Sequence, residues 1–368
     1  MEKEIKVYIP INWLTGDTEL FGIKDPVLHR MGNMILTKQR RELMGQLGAR
    51  GIKVIHKKDE IDENTICLVA DTTLVHEDER DSVTYKKKFD AIMFANGGEN
   101  LHFPRTMKPT EYFTNPFFPA VFKNEARNGG VDKFLIENPI QVKKLEMFYQ
   151  RSLFDPRFNL EWRHVIIQQK IDTPTEYDTY MRVLVAGSGE VLGSSLKCSR
   201  HMPGSCKLDG LFERALIRPD SPYCIGFKKM FNYYSGGESI SLEKPGKIDE
   251  EKRAILESHG LDPNNLHVPE EILDVTKNLM HRCNKELGVM CGFDFILNRS
   301  DGRWYYLENQ AYPAINEWAA ARGIEVPEHT DYASYLAILT VELRARFEAL
   351  MRTYEHKLQE VKEKGTSI

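Results

Sequence analysis

The alternation of apolar and polar positions divides the chain into stretches of period two and stretches of period three to four. Apolar residues crowd 5–11, 52–55 and 66–70. Between the first two, Met34, Ile35, Leu43, Met44 and Leu47 recur at helical spacing until Gly48 and Gly51 interrupt them. Strand, helix, strand, strand with short connections predicts a small open sheet containing a βαβ unit. Residues 77–90 are dense in charge, include Lys86, Lys87 and Lys88, and mark a boundary. Pro104, Pro109, Pro116 and Pro119 lead into a short strand at 120–123, and a returning strand at 133–136 follows a turn-rich segment with Gly129 and Gly130. The pair reads as a β-hairpin with glycines at its tip.

Further on, a helix is expected over 139–152 with Pro139 near its start, and a strand over 164–171. Residues 180–186 and 190–196 flank Gly187 and Gly189 as a second hairpin, and 201–265 reads as irregular. An amphipathic helix is expected over 269–287, stopped by Gly288. Strands at 291–297 and 304–309 meet at a turn of Ser300, Asp301 and Gly302. From 331 to 362 the residues Leu336, Leu339, Leu343, Phe347, Leu350, Tyr354, Leu358 and Val361 recur every three or four positions, which predicts a long helix with an apolar packing stripe.

Composition narrows this picture. The chain has 368 residues, 41% hydrophobic and 28% charged, as expected of two or three globular domains. No apolar run approaches the ~20 residues that span a bilayer, and no signal-peptide stretch follows the charged start. Six cysteines (Cys67, Cys198, Cys206, Cys224, Cys283 and Cys291) contain no Cys-x-x-Cys pair and read as reduced thiols. The expectation is a cytoplasmic protein. Lys and Arg number 50 against 54 Asp and Glu, a net charge of −4, which gives no reason to expect a nucleic-acid or membrane partner.

The chemistry concentrates near the end of the sheet-forming region. Asp294 lies on one strand of a predicted hairpin, and Glu308 and Gln310 lie on the other. Residues two apart on a strand share a face, so Glu308 and Gln310 point together and Asp294 can face them. Carboxylates with an amide oxygen suit a hard cation such as Mg²⁺; acidic residues at hairpin ends are also commonly only solvated. Elsewhere there is no Gly-x-Ser-x-Gly, no His-Glu-x-x-His, no Walker loop and no dinucleotide-binding glycine motif after 5–11. His102, His164 and His201 stand isolated.

In order along the chain come Lys123 after an apolar strand, Gly129 and Gly130, the strand 166–171, the strand that starts at Arg182, Asn232 with Gly236 and Gly237, and Gly292-x-Asp294 followed by Glu308-x-Gln310. This ordered set resembles the ATP-grasp proteins, a superfamily that includes glutathione synthetase, D-alanine–D-alanine ligase and ligases that add glutamate to protein tails. The resemblance spans roughly residues 80–320. It implies an α/β (α+β) fold with an N-terminal open-sheet domain (1–80), an ATP-grasp N-lobe (81–170), a C-lobe with substrate-side insertions (171–330) and a C-terminal helix (331–368).

The resemblance also implies roles. Lys123, and Lys88 as the earlier lysine, would neutralise nucleotide phosphates. Gly129 and Gly130 would let backbone amides close over those phosphates. Gln169, Lys170 and Ile171 would form the hinge beside adenine, and Asp178 would meet the ribose. Arg182, Lys197 and Arg200 would hold the transferring phosphoryl group, Asn232 would assist at metal or phosphates, and Asp294, Glu308 and Gln310 would bind Mg²⁺. Two departures stand out. Gln310 occupies a position usually held by Asn, and the segments 198–231 and 238–268 are longer than in compact relatives. The activity implied is an ATP-dependent carboxylate–amine ligase working through an acyl-phosphate, its substrates an acid and an amine such as an amino acid or peptide. A small-molecule kinase on the same fold and a nucleotide-binding scaffold without turnover are the alternatives. A homo-oligomer joined through the C-terminal helix is a further expectation.

Overall fold

The computed structural model describes residues 4–15, 26–69, 82–95, 101–125, 132–175, 178–199, 210–229, 238–310, 315–326 and 332–365. Its strands fall into three sheets. The first is parallel, in the order β2-β1-β3, from β1 (Lys6–Tyr8), β2 (Lys53–Ile55) and β3 (Thr65–Cys67). The predicted strand at 5–11 ends early. Pro10 brings no amide hydrogen to a ladder, and a short helix α1 (Ile11–Thr15) begins at once. The long α2 (Pro26–Ala49) joins β1 to β2 and buries Leu36, Leu43 and Leu47.

The second sheet, order β10-β6-β5-β7-β4, forms the N-lobe. Its centre is the predicted hairpin β5 (Ala120–Asn124) and β6 (Lys133–Ile136), flanked by β7 (Val165–Gln169). The edges are β4 (Thr106–Met107), which leads into the short helix α4 (Pro109–Thr114), and β10 (Lys228–Lys229). Alternation along these strands sends Ala120, Phe122, Phe134, Ile136, Val165 and Ile167 to one face. That face packs on α5 (Pro139–Ser152) and α6 (Pro156–Trp162), whose N-caps Asn138 and Asp155 accept from the amides of Gln141 and Arg157. Phe122 and Phe134 stack at 4.2 Å between centroids, and Trp162 and Phe212 meet edge to face at 4.7 Å. Each fully buried aromatic here contributes roughly 1.5–3 kcal/mol of transfer energy. Val121, Lys123, Ile166 and Gln168 take the opposite face.

The third sheet, order β11-β9-β8-β12-β13, forms the C-lobe. It contains the second predicted hairpin, β8 (Asp178–Ala186) and β9 (Val191–Ser199), and the third, β12 (Met290–Asn298) and β13 (Arg303–Gln310). One face buries Met181, Val183, Leu196, Phe293 and Phe295 against the helices behind it. The other face begins apolar, with Leu184, Ala186, Leu192 and Met290 packed with the N-terminal domain and the C-terminal helix. It turns polar farther along.

Two further expectations change in detail. The span 201–265 is not wholly irregular: it contains α7 (Leu211–Leu216), β11 (Glu238–Ser241) and α8 (Glu250–Ser258). The Asp249 carboxylate caps α8 by accepting from the Lys252 amide, with Glu250 and Glu251 in the first turn. Phe212, Leu216 and Phe227 are buried in the N-lobe core, so this part of the segment folds onto the N-lobe sheet. The helix expected at 269–287 breaks at Cys283 into α9 (Glu270–Arg282) and α10 (Asn284–Leu287). A further helix α11 (Asn316–Arg322) crosses β9. The final helix α12 (Tyr332–Gly365) is as long as its stripe predicts. From that stripe, Leu343, Phe347, Leu350, Tyr354, Leu358 and Val361 join the core shared with β1 and β3. No helix among the described residues is long and apolar enough to cross a membrane.

Candidate active site

The polar end of the C-lobe sheet is organised by register. Ser195 on β9 lies opposite Arg182 on β8, Arg182 opposite Asp294 on β12, and Asp294 opposite Glu308 on β13. Directly opposed residues share a face, so these four form one row across four strands. A β-bulge makes the last step of that row. The ladder pairs Asp294 with Glu308 but Phe295 with Tyr306, leaving Leu307 as the extra residue. Without it, Tyr306 and Glu308 would point the same way. With it, Tyr306 is fully buried in the core behind the sheet while Glu308 turns to the polar side.

Within the row, Arg182 donates through Nε and Nη2 to the two Asp294 oxygens, each at 2.6 Å. Both side chains are about 3–4% exposed, so this is a buried bidentate ion pair. Burial works to lower the guanidinium and to raise the carboxyl. The facing Asp294 overrides it at Arg182, which stays well above its ordinary value. Lys197, one rung farther along β9, is 1% exposed and sits 2.7 Å from Glu317 Oε1. Ser195 Oγ donates to the same oxygen at 3.0 Å. Burial pushes the Glu317 carboxyl up, but Lys197 and then Arg182 outweigh it and hold the group below its ordinary value. Gly193 permits this packing. A Cβ there would stand 2.3 Å from the Glu317 carbonyl oxygen, so only glycine lets the start of α11 lie this close to β9.

The N-lobe supplies cations. Lys123 and Lys133 are cross-strand partners on β5 and β6, and Lys123 Nζ donates to Gln168 Oε1 at 2.6 Å. From α3 (Ser82–Ala95), Lys86 Nζ donates to the carbonyl of the bulged Leu307 at 2.6 Å and pairs with Asp90 at 3.4 Å. Glu308 feels all of them. Burial acts to raise its carboxyl, and the charges of Lys123, Arg182, Lys133 and Lys86 together hold it below the ordinary value. Glu125, just past Lys123, goes the other way. Crowding by protein raises it first, Lys123 opposes, and Glu308 adds repulsion.

Several residues singled out from the sequence therefore converge: Lys123, Arg182, Lys197, Asp294 and Glu308. Asp294 and Arg182 hold each other directly. Gln310 pairs with Gly292 in the backbone ladder, and Asp178 begins β8 opposite Ser199. Lys88 lies on α3. In the expected hinge, the amides of Gln169 and Lys170 donate to the carbonyls of Arg105 and Pro119, at 2.7 and 3.1 Å, and Ile171 is buried. Gly129, Gly130, Arg200 and Asn232 fall outside the described residues. Lys86, Lys133, Glu125 and Glu317 were not expected. Lys133 follows from the hairpin once its register is known. Glu317 carries no local signal, because its partner lies 120 residues earlier on another element.

No family model matches the chain, and no curated protein matches it. Among solved structures it is similar to D-alanine–D-alanine ligase from Bacillus anthracis, at 12% identity over 94% of this chain and 99% of that one, TM-score 0.38. It is also similar to the ATP-grasp ligase PsnB complexed with a minimal precursor, at 12% identity over 93% and 78%, TM-score 0.37. A third is the macrocyclase MdnC bound with precursor peptide MdnA from Microcystis aeruginosa MRC, at 12% identity over 87% and 73%, TM-score 0.32.

Proposed function

We propose that the chain is an ATP-dependent carboxylate–amine ligase of the ATP-grasp type. The support lies in its own residues rather than in those likenesses. The observation that carries the reading is the row Ser195–Arg182–Asp294–Glu308 on one lobe, set against Lys123, Lys133 and Lys86 from the other. Cations on one side and ionised carboxylates on the other suit a polyphosphate with its divalent counterion.

The donor set fits Mg²⁺. Glu308 is ionised, and the two Asp294 oxygens now held by Arg182 would become ligands as the guanidinium turns to phosphate. When bound, the ion would neutralise phosphate charge. Lys123 and Lys133 would hold the outer phosphates as point charges. The γ-phosphoryl group passes to an oxygen of a substrate carboxylate, and the bond to ADP breaks. Charge grows on the transferring oxygens, and Arg182 would stabilise it there. Lys197 lies one rung beyond the row against Glu317 and would add positive potential without leaving its buried position. The amine nitrogen then attacks the acyl carbon, the bond to phosphate breaks, and the nitrogen loses its proton to solvent.

Phosphate release is the test. The chain is given Mg²⁺-ATP with pooled carboxylates, amines, amino acids and short peptides, and ADP and phosphate are measured together. Equal ADP and phosphate, appearing only when both an acid and an amine are present, is the expected result. ADP without phosphate, alongside a phosphorylated product, overturns it in favour of a kinase. Glu308→Ala should reduce turnover by at least a hundredfold, equivalent to about 2.7 kcal/mol of transition-state stabilisation, while leaving the melting temperature near that of the parent chain. Activity that survives with the same Mg²⁺ requirement removes Glu308 from the site.

A further inference from the structure

A second cluster of metal-ligand side chains lies away from this cleft, where α9 meets α12. His281 is in the last turn of α9, and His356 and Glu360 are one turn apart on α12. Their ligand atoms lie within 4.8 Å of one another, and among the described residues no other group of three His, Cys, Asp or Glu does so. Glu360 Oε1 stands 3.6 Å from His281 Nε2 and 3.9 Å from His356 Nδ1. The imidazole centroids are 6.0 Å apart and nearly perpendicular, at 77°.

These distances can be compared with what a metal demands. Bonds of about 2.0–2.1 Å in a tetrahedron put neighbouring ligand atoms roughly 3.3 Å apart. Two edges of the cluster, at 3.6 and 3.9 Å, already lie within about 0.6 Å of that value. The rest is reachable by side-chain rotation alone, because all three residues are partly exposed, their side chains at 53%, 43% and 28%. An i, i+4 pair presents two ligands on one helix face. The neighbouring Lys357 is committed elsewhere, its Nζ donating to the Glu63 carbonyl at 2.8 Å.

We propose that His281, His356 and Glu360 bind a divalent first-row transition-metal ion, with water in the remaining position. Two imidazoles and one carboxylate suit Zn²⁺ and its neighbours and do not suit Mg²⁺ or Ca²⁺, which take oxygen ligands. The ion clips together two cores. α9 buries Ile272, Val275 and Leu279 behind the C-lobe sheet, and α12 buries Ala345, Ala349 and Leu350 beside the N-terminal domain. Its effect is to tie the C-terminal helix to the C-lobe from outside.

The test uses the full chain, stripped with chelator and held in saturating Mg²⁺ so that oxygen sites are filled. Zn²⁺ is titrated by calorimetry and melting is followed with and without it. One Zn²⁺ per chain and a raised melting temperature are expected, because an ion that binds only the folded form stabilises it. His281→Ala and His356→Ala should each weaken Zn²⁺ binding at least tenfold, since even loss of an outer-shell partner costs 10–100-fold. Neither should move the melting temperature of the metal-free chain. Glu360→Gln provides a third variant that keeps the side chain's size. No saturable binding below about 100 μM, an affinity of roughly −5.5 kcal/mol, overturns the proposal. So does binding that survives the double replacement of His281 and His356.

Discussion

Glu317 shows how much one side chain can carry. It is 1% exposed, accepts from Ser195 and faces the equally buried ammonium of Lys197. Removing one member of such a pair leaves the other charged, dry and uncompensated. Glu317→Ala should therefore cost about 3–5 kcal/mol of stability, read from denaturant unfolding. The double variant Lys197→Met with Glu317→Leu should cost much less, because it removes both charges and refills the volume. A double variant as unstable as the single one would show that the pair contributes shape rather than charge. The same residues mark the limit of what the chain discloses on its own. Asp294 and Glu308 could be set on facing strands from the two apolar runs and the turn between them, although the bulge that turns Glu308 to the polar side has no such signal. Glu317 could not, because its role depends on α11 crossing β9, a contact that no local pattern encodes.

Between elements, two contacts decide how the C-lobe holds together. The first is Gly193 under α11. Gly193→Ala puts a methyl group against the Glu317 carbonyl, and the helix must lift. We expect a loss of about 1–3 kcal/mol, typical of overpacking, measured as a lower unfolding midpoint. An unchanged midpoint would mean that α11 already sits farther from β9. The second joins β8 to α8. His259 Nδ1 donates to the Ile255 carbonyl at 2.7 Å, and its Nε2 accepts from Thr179 Oγ1 at 2.6 Å. Burial lowers the ring's pKa, against a smaller upward pull from the Ile255 carbonyl. The sign is then fixed. The unfolded chain takes up the proton first, so stability is full above the unfolded value of about 6.5 and falls as pH drops through it toward the folded value. Unfolding free energy should decline between pH 7.5 and 5.5, and this decline should shrink in His259→Leu. An equal slope in both chains would remove His259 as its source. Element types were readable where a period ran long, as in α2, α5 and α12. α7, α8 and α11 are short, and α7 finds its apolar partners in a hairpin some 80 residues earlier, which a local reading cannot reach.

For the molecule as a whole, the three sheets are joined by parts that serve two neighbours at once. The C-terminal helix spends most of its apolar stripe inside the chain, against β1, β3 and the apolar end of the C-lobe face that carries the row. The bulge at Leu307 sends Tyr306 into the core and Glu308 into the cleft, and the Leu307 carbonyl receives Lys86 from α3. The lobes are thus coupled at the point where chemistry is proposed. The mutual hold of Arg182 and Asp294 has a consequence for how that cleft fills. Before any ligand arrives, the Arg182 guanidinium and the Asp294 carboxylate have already cancelled each other. A lone divalent ion drawing on Asp294 strands the guanidinium, and a lone polyphosphate drawing on Arg182 strands the carboxylate. Only the two together replace both halves of the pair. Metal and nucleotide should therefore bind synergistically, each tightening the other by the same factor. Calorimetric titration of nucleotide with and without Mg²⁺ would read that factor, and strictly additive binding would mean that the pair never opens. A centre built this way ignores stray ions of either sign and answers to a matched pair.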